Sequence, residues 1–373
     1  MTMARRTITV HQVRALLSGV RRGGADIVPL LQAAQIPPLL LGDARARVTT
    51  AQFIRLFHAL YALTDDEFLG LGPQPSRPGT FAMMCQASLH CRDLGAAIER
   101  GVRFYGLFPG GPDLLLERGG PDQGGPERGA HRADVEAAFI VRNDFTAEEE
   151  RFLAECLVII WHRLCSWLIG RRIALRWATF AFPPPPYADE YQQLFGCPVR
   201  FGAERTGAGF AAHHLGAPLV RDETDLALML RRAPFELLSR RAYGTTVAEQ
   251  VRRALVRALG DSPRLPELGE TAARLAVSPA TLRRRLAVDG TSYKELKDTV
   301  RRDAAIVGLA EGDEPIAELA ARLGFSEDTA FHRAFRRWTG TTPGAYRLLS
   351  HEAGIPEGPA TGVLRRETRS QQS

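Results

Sequence analysis

Glu270-Thr-Ala-Ala-Arg-Leu-Ala-Val-Ser278 and Glu318-Leu-Ala-Ala-Arg-Leu-Gly-Phe-Ser326 are one local pattern written twice, 48 residues apart. In each copy the small and branched apolar residues fall on one helical face: Ala272, Ala273 and Leu275 in the first, Ala320, Ala321 and Leu323 in the second. Small groups there let a second helix approach closely across a tight turn, which is what a helix-turn-helix requires. Gly324 suits the second turn, because glycine reaches positive φ without steric cost. Ala276 stands at the equivalent place in the first copy, so a less tight turn is expected there. Ser326 reads as the N-cap of a helix beginning near Glu327, and Ser278, followed by Pro279, as the N-cap of its counterpart.

Each following helix has an apolar stripe, Leu282/Leu286 in one and Phe331/Phe335/Trp338 in the other. The remaining faces then carry Arg283, Arg284 and Arg285, and His332, Arg333, Arg336 and Arg337. Residues 279–288 hold three arginines and no acid, and residues 329–339 do the same. The major groove of duplex DNA, about 12 Å wide, offers such a helix guanine N7/O6 pairs that match an arginine fork. One basic helix face is ordinarily just a solvated surface. A turn, a cap and a basic face recurring together at fixed spacing point instead to a pair of DNA-reading units. Between them, Tyr293, Leu296, Val300, Ala304 and Val307 predict a strut helix over Thr291–Ala310. Such a strut would hold the two reading helices about one turn of DNA apart, roughly 34 Å. Gly308 inside it costs about 1 kcal/mol relative to alanine and is expected to soften it.

The run Pro315-Ile-Ala-Glu-Leu-Ala-Ala-Arg-Leu-Gly-Phe-Ser-Glu-Asp-Thr-Ala-Phe-His-Arg-Ala-Phe-Arg-Arg-Trp-Thr-Gly-Thr-Thr-Pro343-Gly-Ala-Tyr-Arg347 resembles the signature of the AraC/XylS family of bacterial transcription regulators, a likeness that covers about residues 245–349. The resemblance implies base-reading roles for Ala280, Arg283 and Arg284 in the first unit and for Asp328, Thr329, His332 and Arg333 in the second. Arg336 and Arg337 are expected to hold phosphates, as are Ser278, Thr281 and Arg285. Ala280 is a short side chain for a reading position, so the first unit is expected to discriminate through its arginines. Two N-terminal stretches, Pro78-Gly-Thr-Phe-Ala-Met-Met-Cys-Gln-Ala87 and Tyr191-Gln-Gln-Leu-Phe-Gly-Cys-Pro-Val-Arg-Phe-Gly202, resemble the arabinose-binding-like sensor half found in part of that family, over about residues 20–235. The likeness does not imply that arabinose is the ligand.

At 373 residues, two domains are the default expectation. We place an α+β effector-binding or dimerisation domain at 1–235, an all-α DNA-binding domain with two helix-turn-helix units (about 266–290 and 315–340) joined by a linker helix at 236–349, and a disordered tail at 350–373. The formal charge is only +6, and residues 236–349 contribute 19 basic against 15 acidic residues, so placement and not bulk charge marks the DNA binder. Cys85, Cys91, Cys156, Cys165 and Cys197 contain no C-x-x-C and read as reduced buried thiols. No signal peptide is visible, and the apolar stretch Phe152–Ile169 contains Glu155, His162 and Arg163, which favours a buried helix over a membrane span.

In the N-terminal part, helices are predicted at Val10–Ser18, Ala25–Ala34, Ala51–Leu63, Cys91–Leu107, Glu148–Ile169 and Ala188–Phe195. Strands are predicted at Asp113–Arg118, Arg132–Val141, Ile173–Phe182, Pro198–Gly202 and Gly209–Ala212, with a Gly/Pro-rich loop at Gly119–Ala130. Pro183–Pro186 read as a rigid turn, His213-His214 as a surface strand end, and Asp65/Asp66 as solvated or dipole-facing carboxylates. Phe104, Tyr105, Trp161 and Trp167 read as core aromatics that also qualify as pocket lining. Leu230–Thr246 is the expected joint between sensor and reader.

No nucleophile with its base, no metal site and no cofactor is expected. The function implied is a cytoplasmic, sequence-specific transcription regulator, an activator under control of a small molecule whose site the sequence does not name. Its expected partners are double-stranded DNA, RNA polymerase, the unknown effector and a second copy of the chain, with no membrane. Two alternatives compete. A DNA-repair methyl acceptor would need a clustered four-cysteine zinc site, which the scattered cysteines do not supply. An architectural DNA protein without effector control would bind with little sequence preference and a steep salt dependence.

Overall fold

In the computed structural model, residues 7–108, 111–119, 136–143, 148–185, 187–231, 237, 247–261 and 265–352 are described. The chain starts with a short strand, β1 (Thr7–Thr9), that pairs antiparallel with β2 (Arg47–Thr49), Ile8 opposite Val48. Helices α1 (Val10–Arg22) and α2 (Val28–Ala34) lie between them in sequence, and α3 (Thr50–Thr64) follows directly. Thr49 and Gln52 close a reciprocal cap at the start of α3, Gln52 N to Thr49 Oγ1 at 3.1 Å and Thr49 N to Gln52 Oε1 at 2.8 Å. Then come α4 (Thr80–Leu89), α5 (Leu94–Tyr105), β3 (Leu114–Arg118), β4 (Glu136–Val141), α6 (Glu148–Leu168), β5 (Leu175–Thr179), α7 (Asp189–Phe195), β6 (Val199–Arg200), β7 (Thr206–Ala211) and α8 (Glu223–Leu230). Strands β3-β4-β7-β5-β6 form one sheet in that order, antiparallel except for the β5–β6 pair.

Helix α6 packs on β4 and β7 and also against α1 and α5, so it is apolar nearly all round: Phe152, Leu157, Val158, Trp161, Leu164 and Trp167 are all buried. Glu155, His162 and Arg163, within its apolar stretch, are each accommodated. Glu155 accepts from Tyr191 and Tyr187, His162 Nε2 lies 2.8 Å from Ile173 O, and Arg163 Nη1 donates to Leu237 O at 2.6 Å. Among the described residues no helix is long and apolar enough to cross a membrane. The sensor is thus the mixed α/β fold expected.

Two expectations for this half are corrected. His213 and His214 lie on a 3-10 turn (Ala212–Gly216), not at a strand end, with their rings 4.1 Å apart. Asp66 is not solvated: it is 3 % exposed and accepts from the backbone N–H of Phe68, Gly70 and Ser76 at 2.6–2.9 Å, tying up the turn after α3. Neighbouring Glu67 does the same for Gly79 and Phe81, fixing the start of α4. The β1–β2 pair, α4 and α8 are elements the periodicity did not indicate. Most of the Gly119–Ala130 loop and of the Leu230–Thr246 joint lies outside the described residues.

The C-terminal half is all helix: α9 (Val247–Asp261), α10 (Leu268–Arg274), α11 (Pro279–Val288), α12 (Tyr293–Glu311), α13 (Ile316–Arg322), α14 (Asp328–Thr339) and α15 (Pro343–Glu352). The last helix extends past residue 349, so 350–352 belong to the fold and not to a tail; 353–373 lie outside the described residues. Helix α12 is the strut, capped by Ser292 with Glu295 in a reciprocal cap. Gly308 also lies where α13 packs on the strut: a Cβ there would sit 3.0 Å from Leu319 Cδ1, a tight contact that the leucine would have to yield to.

Both turns have the same conformation. Ala276 has φ +54° and Gly324 φ +78°, so the first turn is not the looser one; its alanine bears the left-handed conformation that glycine takes freely. Ala276→Gly is accordingly expected to stabilise the chain by about 0.5–1 kcal/mol. Urea unfolding followed by far-UV circular dichroism measures this, and an unchanged or lower midpoint would show that the turn carries no strain.

Candidate nucleic-acid interface

Each unit is assembled from its own apolar stripe. In the first, Leu282 and Leu286 of α11 are buried against α9 and α10. In the second, Phe331 and Phe335 of α14 are fully buried, with Phe325 edge-on to Phe331 at 5.4 Å and Tyr346 edge-on to Phe335 at 5.6 Å. Burying these stripes leaves the opposite faces outward.

Ala280, Arg283, Arg284 and Arg285 are exposed on α11, and Asp328, Thr329, His332, Arg333, Arg336 and Arg337 on α14; Ser278 is exposed and Thr281 half-buried. Ser278 is the N-cap, its Oγ accepting from Thr281 N at 3.1 Å and lying 2.9 Å from Thr281 Oγ1. The second cap differs from expectation: the N-cap of α14 is Glu327, without a side-chain cap bond, and Ser326 lies one residue earlier. Glu327 instead accepts from the Thr329 hydroxyl at 3.3 Å.

Among the described residues none of the six arginines on these faces pairs with a protein carboxylate, whereas other arginines of the same domain are committed to structure. Arg322 forks onto Glu314 at 2.6–3.2 Å, a bond that holds its guanidinium above the ordinary value. Arg347 Nη2 donates to Glu314 O at 2.5 Å. The outward cations are therefore those left to meet an anion from outside.

Two supports escaped sequence reading. Arg301 of the strut donates to Leu323 O (3.0 Å) and Gly324 O (3.2 Å) and lies 5.0 Å over the Phe325 ring, clamping the second turn. Burial lowers its proton affinity, which Asp298 and Glu267 partly offset. In the first unit Tyr293 OH donates to Pro266 O at 2.6 Å and lies 2.8 Å from Thr271 Oγ1, so the strut's first residue anchors α10. Spacing alone gave no signal for either, because each pairs a strut residue with a backbone group more than twenty positions away.

The sensor seats on this assembly. Strands β1 and β2 contact α12; Thr7 Oγ1 donates to Asp303 Oδ1 at 2.7 Å, and Arg47 Nε donates to Thr7 Oγ1 at 2.7 Å. Tyr346 OH of α15 donates to Arg47 O at 2.7 Å. Inside the sensor, an apolar cavity lies between α5, α6 and the sheet, lined by Ile98, Phe139, Trp161, His162, Cys165 and Phe210 among others. Burial lowers His162 to about 4, so its ring is neutral at pH 7. Of the four aromatics singled out, Trp161 lines this cavity, Tyr105 and Trp167 are buried, and Phe104 is half-buried.

The arabinose-binding domain of AraC transcription regulators, N-terminal, matches residues 24–219, and a helix-turn-helix domain model matches residues 271–348. The chain is 28% identical over 342 residues to the ornithine utilization regulator of Pseudomonas aeruginosa, covering 91% of this chain and 96% of that protein. It is 30% identical over 356 residues to an uncharacterized HTH-type transcriptional regulator of Mycobacterium tuberculosis, covering 90% and 95%. Among solved structures, the DNA-binding domain of AdpA, the global transcriptional factor, in complex with a target DNA is 31% identical, over 31% of this chain and 100% of that one, with a TM-score of 0.25. With a sensor and a reader matched in that order along one polypeptide, the chain belongs to the AraC family: it is a DNA-binding helix-turn-helix transcription regulator with an arabinose-binding-like N-terminal domain.

Proposed function

We propose that the chain is a cytoplasmic, non-enzymatic activator that reads two successive major-groove segments with α11 and α14 and is controlled by a small molecule held in its N-terminal domain. The observation that carries the reading is the pair of outward arginine faces, unpaired with protein acids among the described residues and joined by one 19-residue strut. At 1.5 Å per residue that strut is about 28 Å long, commensurate with the pitch of duplex DNA. Base reading falls to Ala280, Arg283, Arg284, Asp328, Thr329, His332 and Arg333, and phosphate holding to Ser278, Thr281, Arg285, Arg336 and Arg337. Asp328, at the start of α14, is an acceptor suited to a cytosine amino group.

Effector control is supported by the match to an arabinose-binding domain and by the seating of β1–β2 on the strut. A ligand that favours one seating over another changes DNA affinity by the difference. The void beside Trp161 and His162 has room for about one water molecule, so an effector entering there would have to open it. One relative is named for ornithine utilization, which fits control by a metabolite; RNA polymerase and a second copy of the chain complete the proposed partners.

Selection of bound fragments from genomic DNA by the full chain, at fixed salt, tests the reading directly. A specific affinity about a thousandfold or more above non-specific binding is expected, and equal affinity for all fragments would favour the architectural alternative. On the selected site, Arg333→Ala is expected to cost about 1–3 kcal/mol and to relax choice at one base pair. Unchanged base preference would remove it from the reading set. Arg337→Ala should weaken all duplexes alike and lower the salt slope by about one. A loss confined to one sequence would show that it reads a base.

A further inference from the structure

Glu155 is 2 % exposed in the sensor, and among the described residues two phenols stabilise its charge: Tyr191 and Tyr187 both donate to its Oε1, the latter at 3.3 Å. A carboxylate taken out of water without a cation is held at a large desolvation cost. The groups around it do not relieve that cost. On its own helix, Arg151 one turn earlier lies over the Phe182 ring (5.9 Å) with its Nε unpartnered, Cys156 is a buried thiol, and Arg163 is bonded to Leu237 O. From α1, His11 stacks on Tyr187 at 5.4 Å; from α7 comes Tyr191, stacked on Tyr187 at 5.8 Å. Burial raises Glu155 to about 7.

The residue after Tyr191 reaches the other half of the molecule. Gly290, in the turn from α11 to the strut, faces Gln192 so closely that a Cβ there would lie 2.7 Å from Gln192 Nε2. Helix α7 is two turns long, lies between Pro183–Pro185 and Gly196 at φ +68°, and is seated by Tyr191 and Phe195, both buried against Phe180. The same turn carries Asp289, whose carboxylate accepts from Ala248 N at the start of α9.

We propose that Glu155, Tyr187 and Tyr191 form a proton-operated linkage between the sensor core and the first DNA-reading unit. With its proton, Glu155 is a neutral partner for the two phenols, α7 stays seated and Gln192 bears on the α11–α12 turn. When the proton passes to water, the phenols still favour the charge but its desolvation outweighs them, so an opening that admits water is favoured; α7, which covers the carboxylate through Tyr191, is the element whose displacement provides it and releases the turn at Gly290. The proton then acts as an effector in its own right, separate from any ligand of the Trp161 cavity. The sign follows from linkage: because folding raises this group above the ordinary carboxylate value, the stability it supports is full below about 4.5 and is lost as pH rises through about 7.

The test uses the full chain and backbone hydrogen exchange between pH 6 and pH 8, corrected for intrinsic rates. Exchange across 187–196 and 289–292 should rise about tenfold or more in the unmodified protein, and a flat response overturns the proposal without any variant. Glu155→Gln, the neutral isostere, should abolish the rise in both segments; a response equal to the parent's overturns it. Gln192→Ala should keep the rise at 187–196 and lose it at 289–292, and persistence at 289–292 refutes the connection through that side chain. On a selected DNA site the pH dependence of affinity should differ between the parent and Glu155→Gln, and identical profiles count against the linkage. This last arm rests on the proposed reading units, whereas the exchange arms do not, so failure of one is distinguishable from failure of the other.

Discussion

The two halves of this regulator meet through a buried polar contact between its first strand and its strut. Asp303 is 4 % exposed and Arg47 8 %, and the Thr7 hydroxyl bridges them across 296 residues of sequence. Opposite charges buried together tolerate little displacement, since removing one from the other's reach leaves an uncompensated charge at a cost of about 3–5 kcal/mol. Tyr346, fully buried, adds a second tie from α15 to the backbone of Arg47. Among the described residues this seat and the approach at Gly290 both bear on the strut or its first turn, the element that spaces the two units.

The reading units themselves are shaped by a division of labour among arginines. Arg301, Arg322 and Arg347 satisfy carbonyls and a carboxylate within the fold, and Arg252 forks onto Glu249 at 3.0–3.1 Å. Those on the outer faces of α11 and α14 have no such engagement among the described residues. The modest net charge of the chain is thus no measure of what a phosphate backbone meets; local geometry concentrates mobile cations on two ridges while the acids are spent elsewhere.

Much of the reader was legible because helical periodicity and caps are local. Leu282/Leu286, Phe331/Phe335 and Tyr293/Leu296/Val300 are buried where their spacing placed them, and the Ser278–Pro279 start holds. The Ser326 cap slipped by one residue because Glu327 adopts the extended cap conformation with Asp328 opening the helix. In the sensor, long elements such as α3 and α6 were visible, but β1 and β2 are three residues each, too short for alternation to register, and they gain their stability from each other and from α12. The burial of Asp66 was hidden for a related reason: three backbone N–H groups that make it tolerable converge only once the turn is folded. Residue spacing likewise holds no trace of the Arg301 clamp or of the Glu155–Tyr191 contact, which depend on distant segments meeting.

The missing side chain at Gly308 separates scaffold from code. Leu319 of α13 lies against bare backbone there, so a larger residue would press on the contact that poses the second unit. The solvent-facing positions of α11 and α14 lie away from that contact, so side chains there can change without disturbing the pose. The surface of the two ridges can therefore vary independently of the distance that the strut sets between them.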